Sequence, residues 1–414
     1  MLNENQRIVI TGMGAVSPVG NSVAEMWEGF ITGRQGVDFI TLFDTAESEV
    51  KIAAEVKGFD AGALLGAKEA RKLDRFAQLA YAAAKEALAQ SGLTIDARNT
   101  HRIGVLTGSG TGGTTALTNE HKVMLQRGAR RVGPFAMPMM LIDSSCGVLT
   151  IQFGIRGPSA NYATACASAA TAIGEAMEMI RAGRIDAALA GGSESPINPF
   201  ALAAFNNMGA LSTFNDDPQR ASRPFDATRS GFVAGEGAGF LTLESLAHAR
   251  ARGANVLAEI VGYGATSDAG HITTPDVNGA ARSMQLALQQ AGLAPEDVDY
   301  INAHGTSTPI NDSNETKAIK LIFGEAATRV PISSTKSMTG HLLGATGALE
   351  LIACVKAIET GVIPPTVNYR TPDAECDLNY VPNGAISEEV NIAMSNAFGF
   401  FGHNACLIVK RFVE

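Results

Sequence analysis

The sequence predicts an α/β fold made of two related halves, residues 1–254 and 255–414, and two internal echoes carry that prediction. VITGMGAVS at 9–17 is matched by EIVGYGATS at 259–267, a shift of 250 residues. CASAATAIGEAMEMIRAG at 166–183 is matched by GATGALELIACVKAIETG at 344–361, a shift of 178 residues. Both members of the second pair open on small residues, carry an apolar helical face and end on a glycine suited to close a helix. Between the landmarks, short apolar runs end in small-residue loops, the places where an open α/β sheet presents its chemistry.

Taken in order, residues 7–15 predict a buried strand closed by a glycine turn at Gly12-Met-Gly14, and residues 22–33 a helix. Pro18 falls where a phosphate-binding helix would already be running, so this is not a dinucleotide fingerprint. Residues 79–90 predict a helix with Gly92 near its end; residues 103–107 and 185–190 predict central strands, the second leading into Gly191-Gly-Ser-Glu194. In the second half, short strands at 298–301 and 390–394 deliver His304 and the loop Phe398-Gly-Phe-Phe-Gly402. Two such halves facing each other would bring one cysteine and two histidines into a single cleft.

Composition bounds the function. With 414 residues, 46% of them hydrophobic, the chain can bury a sizeable core. No apolar run reaches the ~18 residues a membrane span needs, and the start lacks a basic leader with a cleavage site, so a soluble cytoplasmic protein is expected. A net charge of −9 argues against nucleic acid as a main partner. Small basic groups stand at Arg71, Lys72 and Arg75 and at Arg127, Arg130 and Arg131. The five cysteines, at 146, 166, 354, 376 and 406, are odd in number and lack the spacing of a zinc site or a disulfide framework, which suits a reducing compartment and predicts no metal.

Three segments carry chemistry. Cys166 lies where a short extended segment meets a small-residue helix, where helix-start amides would favour a thiolate nucleophile. AHGTSTP (303–309) and STKSMTGHLLGA (334–345) are polar, glycine-bent runs holding His304, Lys336 and His341. A buried structural cysteine beside alanines is the bland alternative for Cys166, but a cysteine, two histidines and a lysine in three such segments form a set.

That set, with RPFDATRSGFVAGEGAG (223–239) and SNAFGFFGHNA (395–405), resembles the elongating β-ketoacyl-acyl carrier protein synthases of the thiolase superfamily, most closely the synthase II group, over essentially the whole chain. The resemblance implies a thiolase-like α-β-α-β-α layered core, a homodimer, no cofactor, and an acyl carrier protein bearing acyl and malonyl thioesters as partner. It implies Cys166 as acyl acceptor, His304 and His341 as the decarboxylation pair, Lys336 as their electrostatic organiser and Glu350 as a buried structural carboxylate. It further implies an oxyanion hole from the amides of Cys166 and Phe400, a phosphopantetheine site at Thr306 and Thr308, and a gate and acyl pocket at Phe400, Phe401, Thr111 and Phe205. Arg71, Lys72, Arg127, Arg130 and Arg131 become the candidate docking surface for an acidic carrier.

The chain departs from the family pattern at three places. Phe401 stands where glycine is usual, Gly209 where a basic residue is frequent, and Thr111 at a pocket-depth position more often apolar. Two other readings remain: a thiolase, which would need a second acid/base cysteine and has Cys406 near the required place, and a noncatalytic chain-length or scaffold subunit, which would not need Cys166 at all.

Overall fold

A computed structural model describes residues 3–414. Its spine is one ten-stranded sheet. The strands are β1 (Ile8–Val16), β2 (Ile103–Gly108), β3 (Ser159–Tyr162), β4 (Ala187–Glu194) and β5 (Gly237–Ser245), then β6 (Ala258–Ser267), β7 (Tyr300–Asn302), β8 (Ile332–Ser333), β9 (Ile392–Gly399) and β10 (His403–Lys410). They lie in the order β8-β7-β9-β10-β6-β1-β5-β4-β2-β3. Reading outward from the β1–β6 junction, each half repeats the same order and sense. In the first half β1, β5 and β4 are antiparallel and β4, β2 and β3 parallel; in the second β6, β10 and β9 are antiparallel and β9, β7 and β8 parallel. The halves join through three antiparallel pairs, Ile8 with Ile260, Val9 with Glu259 and Ile10 with Ala258.

The echoed glycines are not turns. Gly12 and Gly14 lie inside β1, and a Cβ on either would stand 2.1 Å from the Ala87 carbonyl oxygen or 1.9 Å from that of Ala83, both on α1 (Arg75–Ser91). Their counterparts Gly262 and Gly264 in β6 meet the carbonyls of Ala287 and Ser283 at 2.4 and 2.0 Å. The sequence suggests punctuation at these glycines, whereas they let a helix backbone press onto a strand. This correction strengthens the duplication, since the close approach recurs at the same relative positions.

Helices fill the layers around the sheet. After α1 come α2 (Thr114–Arg127), α3 (Ser144–Phe153), α4 (Ser168–Arg181), α5 (Pro199–Asn207), α6 (Val277–Ala291), α7 (Pro309–Phe323) and α8 (Thr346–Thr360). α1 covers the outer face of the first half and α6 that of the second, while α4 and α8 lie between the halves and touch strands of both. Their small residues, Ala169 to Ala176 and Ala345 to Ala353, permit that burial within one continuous hydrophobic cluster. The result is the α-β-α-β-α layering of a thiolase-like fold. The second echo is equally faithful: each middle helix follows a 3₁₀ turn entered through a left-handed residue, Ala165 (φ 49°) or Leu343 (φ 45°), and is followed by a left-handed glycine, Gly183 or Gly361. Among the described residues no helix is long and apolar enough to cross a membrane.

Candidate active site

Cys166 sits in the 3₁₀ turn Ala165–Ala167, between β3 and α4. Ser168 pins that turn, accepting from the Thr164 amide at 3.0 Å and donating to the Ala165 carbonyl at 2.6 Å. The end of β9 closes over it: a Cβ on Gly399 would stand 2.8 Å from the Thr164 oxygen and 3.0 Å from the Cys166 nitrogen. Only glycine allows that approach, which carries the Phe400 amide to the cysteine. The backbone amides of Phe400 and Cys166 both favour the charged sulfur. Burial nevertheless pushes the thiol up to about 12, against the pull of Lys336 and the two amides. The expected resting thiolate is therefore corrected to a thiol, because desolvation of the charged form outweighs the helix-start amides.

His304 leaves β7, and its amide and that of Gly305 donate to the two oxygens of Glu315 at 2.8 and 2.7 Å. His341 follows the Lys336–Thr339 turn, with Nδ1 3.1 Å from Thr346 Oγ1. The rings stand 5.4 Å apart at 84°. Burial, reinforced by the Lys336 ammonium, holds both imidazoles well below the usual histidine range, so both are neutral at physiological pH. Lys336 is itself 1% exposed and donates to Glu350 Oε1 at 2.5 Å. Burial pushes the Glu350 carboxyl up, the ammonium opposing it.

Cys166, His304 and His341 open onto one cavity of about 510 Å³. Thr306, Thr308, Thr111, Phe205, Phe400 and Phe401 line it too. The hydroxyls of Thr306 and Thr308 are 2.9 Å apart, and Phe205 packs edge-on against Phe232 with centroids 5.6 Å apart. Thr111 does not offer its hydroxyl to the cavity, since Oγ1 donates to Glu194 at 2.6 Å. Phe401 holds φ 62° and ψ 13° and is 63% exposed, so an aromatic residue occupies a left-handed position natural to glycine, at a cost of roughly 1–3 kcal/mol. Gly209 is also left-handed and has open space around it.

Two carboxylates had no mark in the sequence. Glu194, at the end of β4, accepts from Ser109, Gly110 and Thr111 of the first half and from the Gly344 amide of the second, at 2.7 to 3.0 Å. Glu315 holds the His304 loop and also accepts from Asn396 at 3.2 Å. Glu194 is the single acid of an otherwise uncharged strand, AALAGGSE, whereas Glu315 lies in a polar helix, PINDSNETKAIKLIF, that hides it. Of the docking candidates, Arg71, Arg127, Arg130 and Arg131 are exposed. Lys72 is engaged, with Nζ 2.6 Å from Glu69 and 5.5 Å from the Phe135 ring centroid. None of the five lines the cavity.

The β-ketoacyl synthase N-terminal domain model matches residues 5–249, and the β-ketoacyl synthase C-terminal domain model matches residues 257–370. The chain belongs to the β-ketoacyl synthase family. It is 50% identical over 413 residues to a 3-oxoacyl-[acyl-carrier-protein] synthase 2 of Staphylococcus aureus (strain COL), covering 99% of this chain and 100% of the relative. Among solved structures, a β-ketoacyl synthase from Burkholderia phymatum STM815 superposes with a TM-score of 0.92 at 38% identity, covering 98% of this chain and 100% of that one. A type II polyketide ketosynthase, solved with its acyl-carrier protein and bound to a hexaketide, gives a TM-score of 0.88 at 33% identity over 98% of this chain and 99% of that one. The chain is accordingly a condensing acyltransferase with the family's fold.

Proposed function

We propose that this chain lengthens a Cys166-bound acyl group by decarboxylating Claisen condensation with malonyl-acyl carrier protein, giving 3-oxoacyl-acyl carrier protein and carbon dioxide in fatty acid elongation. The observation that carries this reading is the convergence of Cys166, His304 and His341 on one cavity, with both imidazoles kept neutral. The Cys166 sulfur attacks the carbonyl of a carrier-bound acyl thioester, its proton ending on the departing pantetheine sulfur. The amides of Cys166 and Phe400 hold the tetrahedral oxyanion. Malonyl thioester then loses carbon dioxide, and the enolate oxygen left behind accepts hydrogen bonds from His304 and His341, which neutral rings can donate without surrendering a proton. The resulting carbanion attacks the Cys166 thioester, the new carbon–carbon bond forms, the carbon–sulfur bond breaks, and the departing Cys166 thiolate takes a proton from water to regenerate the thiol. Lys336, held by Glu350, keeps the histidines neutral from behind. Thr306 and Thr308 take the pantetheine amides, and Phe400, Phe205 and Thr111 bound the acyl chain.

An acyl carrier protein is the proposed partner, as in the related ketosynthase solved with its own. The exposed side chains Leu117, Leu125, Met137 and Ile151, on or beside α2 and α3 and near the edge strand β3, support a homodimer formed on that side. We place the boundary between the halves at residues 254 and 255, and the protein in the cytoplasm, a compartment that suits five unpaired cysteines. The purified chain, given acyl- and malonyl-carrier protein, should yield 3-oxoacyl-carrier protein with one carbon dioxide per turnover. Product formed from acetyl-coenzyme A without carbon dioxide would indicate a thiolase instead, and carrier binding without any acylation a noncatalytic subunit.

A further inference from the structure

Glu194, the last residue of β4, is fully buried. Its Oε1 accepts from the Ser109 hydroxyl at 2.9 Å, the Thr111 amide at 3.0 Å and the Thr111 hydroxyl at 2.6 Å. Its Oε2 accepts from the amides of Gly110 at 2.7 Å and Gly344 at 3.0 Å. All of these donors are neutral, and the amides among them cannot reverse. Ser109 is committed as well, because its oxygen already accepts from the Gly112 amide at 3.1 Å. Burial pushes the carboxyl up and the donors pull it back; a shell made of donors suits a group that only accepts, the ionised carboxylate. Glu194 does not line the cavity. Gly110, Thr111, Ala165 and Leu343 do, and Glu194 stands behind them. A Cβ on Gly110 would lie 3.3 Å from Oε2 and 3.5 Å from the Ala165 oxygen, and one on Gly344 would lie 2.6 Å from the same Oε2. The carboxylate is thus one glycine away from the turn that carries Cys166 and one glycine away from the turn before α8. After burial, the two charges that act on the Cys166 thiol are opposed: Lys336 pulls it down and Glu194 pushes it up.

We propose that Glu194 is a positioning residue for the nucleophile: its carboxylate fixes the cysteine turn against the turn before α8 and offsets the field of Lys336, so that the proton stays on the Cys166 sulfur until a thioester arrives. This rests on the reading of Cys166 as acyl acceptor. Lys336 has to lie close to keep both histidines neutral, and the same charge draws the cysteine proton away. A resting thiolate beside an open cavity would be lost to oxidation or alkylation. A negative charge behind the cysteine turn lets one lysine serve the histidines without unmasking the sulfur.

The test replaces Glu194 in two ways: Glu194→Gln keeps the size and loses the charge, and Glu194→Asp keeps the charge and shortens the reach. With its oxygen in the Oε2 place, the glutamine still accepts from Gly110 and Gly344, and its nitrogen meets hydroxyls that can turn. Cys166 is alkylated with iodoacetamide and, separately, with iodoacetate, and its own peptide is read by mass. In Glu194→Gln both rates should rise by about tenfold at a given pH, the thiolate gained from a fall of about one pKa unit. The anionic reagent should gain about threefold more than the neutral one, because a like charge has left its path. Glu194→Asp should keep the wild-type ratio of the two rates, and it decides alone where the glutamine chain does not fold. Equal gains for both reagents, as a merely loosened cavity gives, would overturn the proposal. So would unchanged rates in a glutamine variant that melts as wild type does, or an aspartate variant whose ratio rises by about threefold. Neither reagent needs a carrier, so a wild-type chain that takes no acyl group would sink the condensing reading and leave this result standing.

Discussion

In the proposed mechanism the chemistry turns on two neutral histidines beside buried Lys336. An imidazolium pair would bind the malonyl carboxylate and resist its loss; a neutral pair stabilises only the negative charge that develops on the thioester oxygen, so its hydrogen bonds strengthen in the transition state. Replacing His304 or His341 with alanine should leave transfer of the acyl group to Cys166 measurable while slowing malonyl decarboxylation by roughly 100-fold to 1000-fold. Release of labelled carbon dioxide reads that loss; wild-type release from both variants would leave the histidines structural. The pKa direction sets a second expectation. Because burial and Lys336 lower both histidines well below 6.5, the neutral form persists as pH falls through that value, and the decarboxylation rate should show no acid limb there. An inflection near 6.5 would mean that the rings titrate normally. These residues were legible because each histidine lies in a polar, glycine-bent run, where the chain presents side chains to a ligand instead of packing them. The protonation states were not, since they depend on burial and on a lysine that reaches the site from behind.

At the scale of elements, the cysteine turn and the end of β9 form one unit. The end of β9 lies against the cysteine turn only because Gly399 has no side chain to strike the Thr164 carbonyl. Gly399→Ala should therefore push β9 away from the turn and weaken oxyanion binding, with acylation falling by about 100-fold or more, while the far end of the cavity still takes a pantetheine-bearing ligand. Single-turnover acylation beside ligand binding separates the two; unaltered acylation would show that the Phe400 amide is dispensable. Element existence was readable along most of the chain, but boundaries drifted. The strand expected at 390–394 runs Ile392–Gly399 and that at 298–301 is Tyr300–Asn302, because tertiary pairing with β10 and β8 decides where strand geometry ends. Glu194 and Glu315 were missed for a related reason. Glu194 satisfies amides of loops distant in sequence, and Glu315 the amides of His304 and Gly305 across the turn before its own helix; which acid holds which loop depends on the folded arrangement.

On the scale of the whole molecule, duplication gives one chain both the proposed nucleophile and the proposed enolate site. The first half holds Cys166 at the head of α4, the second holds His304, Lys336 and His341 around the head of α8, and Glu194 ties the loop after β2 to the turn before α8 through the Gly110 and Gly344 amides. The two echoes suggested a division between the halves, and the strand order repeats on either side of the β1–β6 pairing. The exposed apolar side chains on and beside α2 and α3 add an expectation for the assembly: light scattering at micromolar concentration should give twice the chain mass of 43.1 kDa, and a stable monomer would contradict it. The proposed chemistry nonetheless depends on covalent acylation at a single sulfur. Intact-mass measurement after incubation with acyl-carrier protein should show one acyl group added to the wild-type chain and none to Cys166→Ala; an equal mass gain in the alanine variant would contradict the mechanism at its centre.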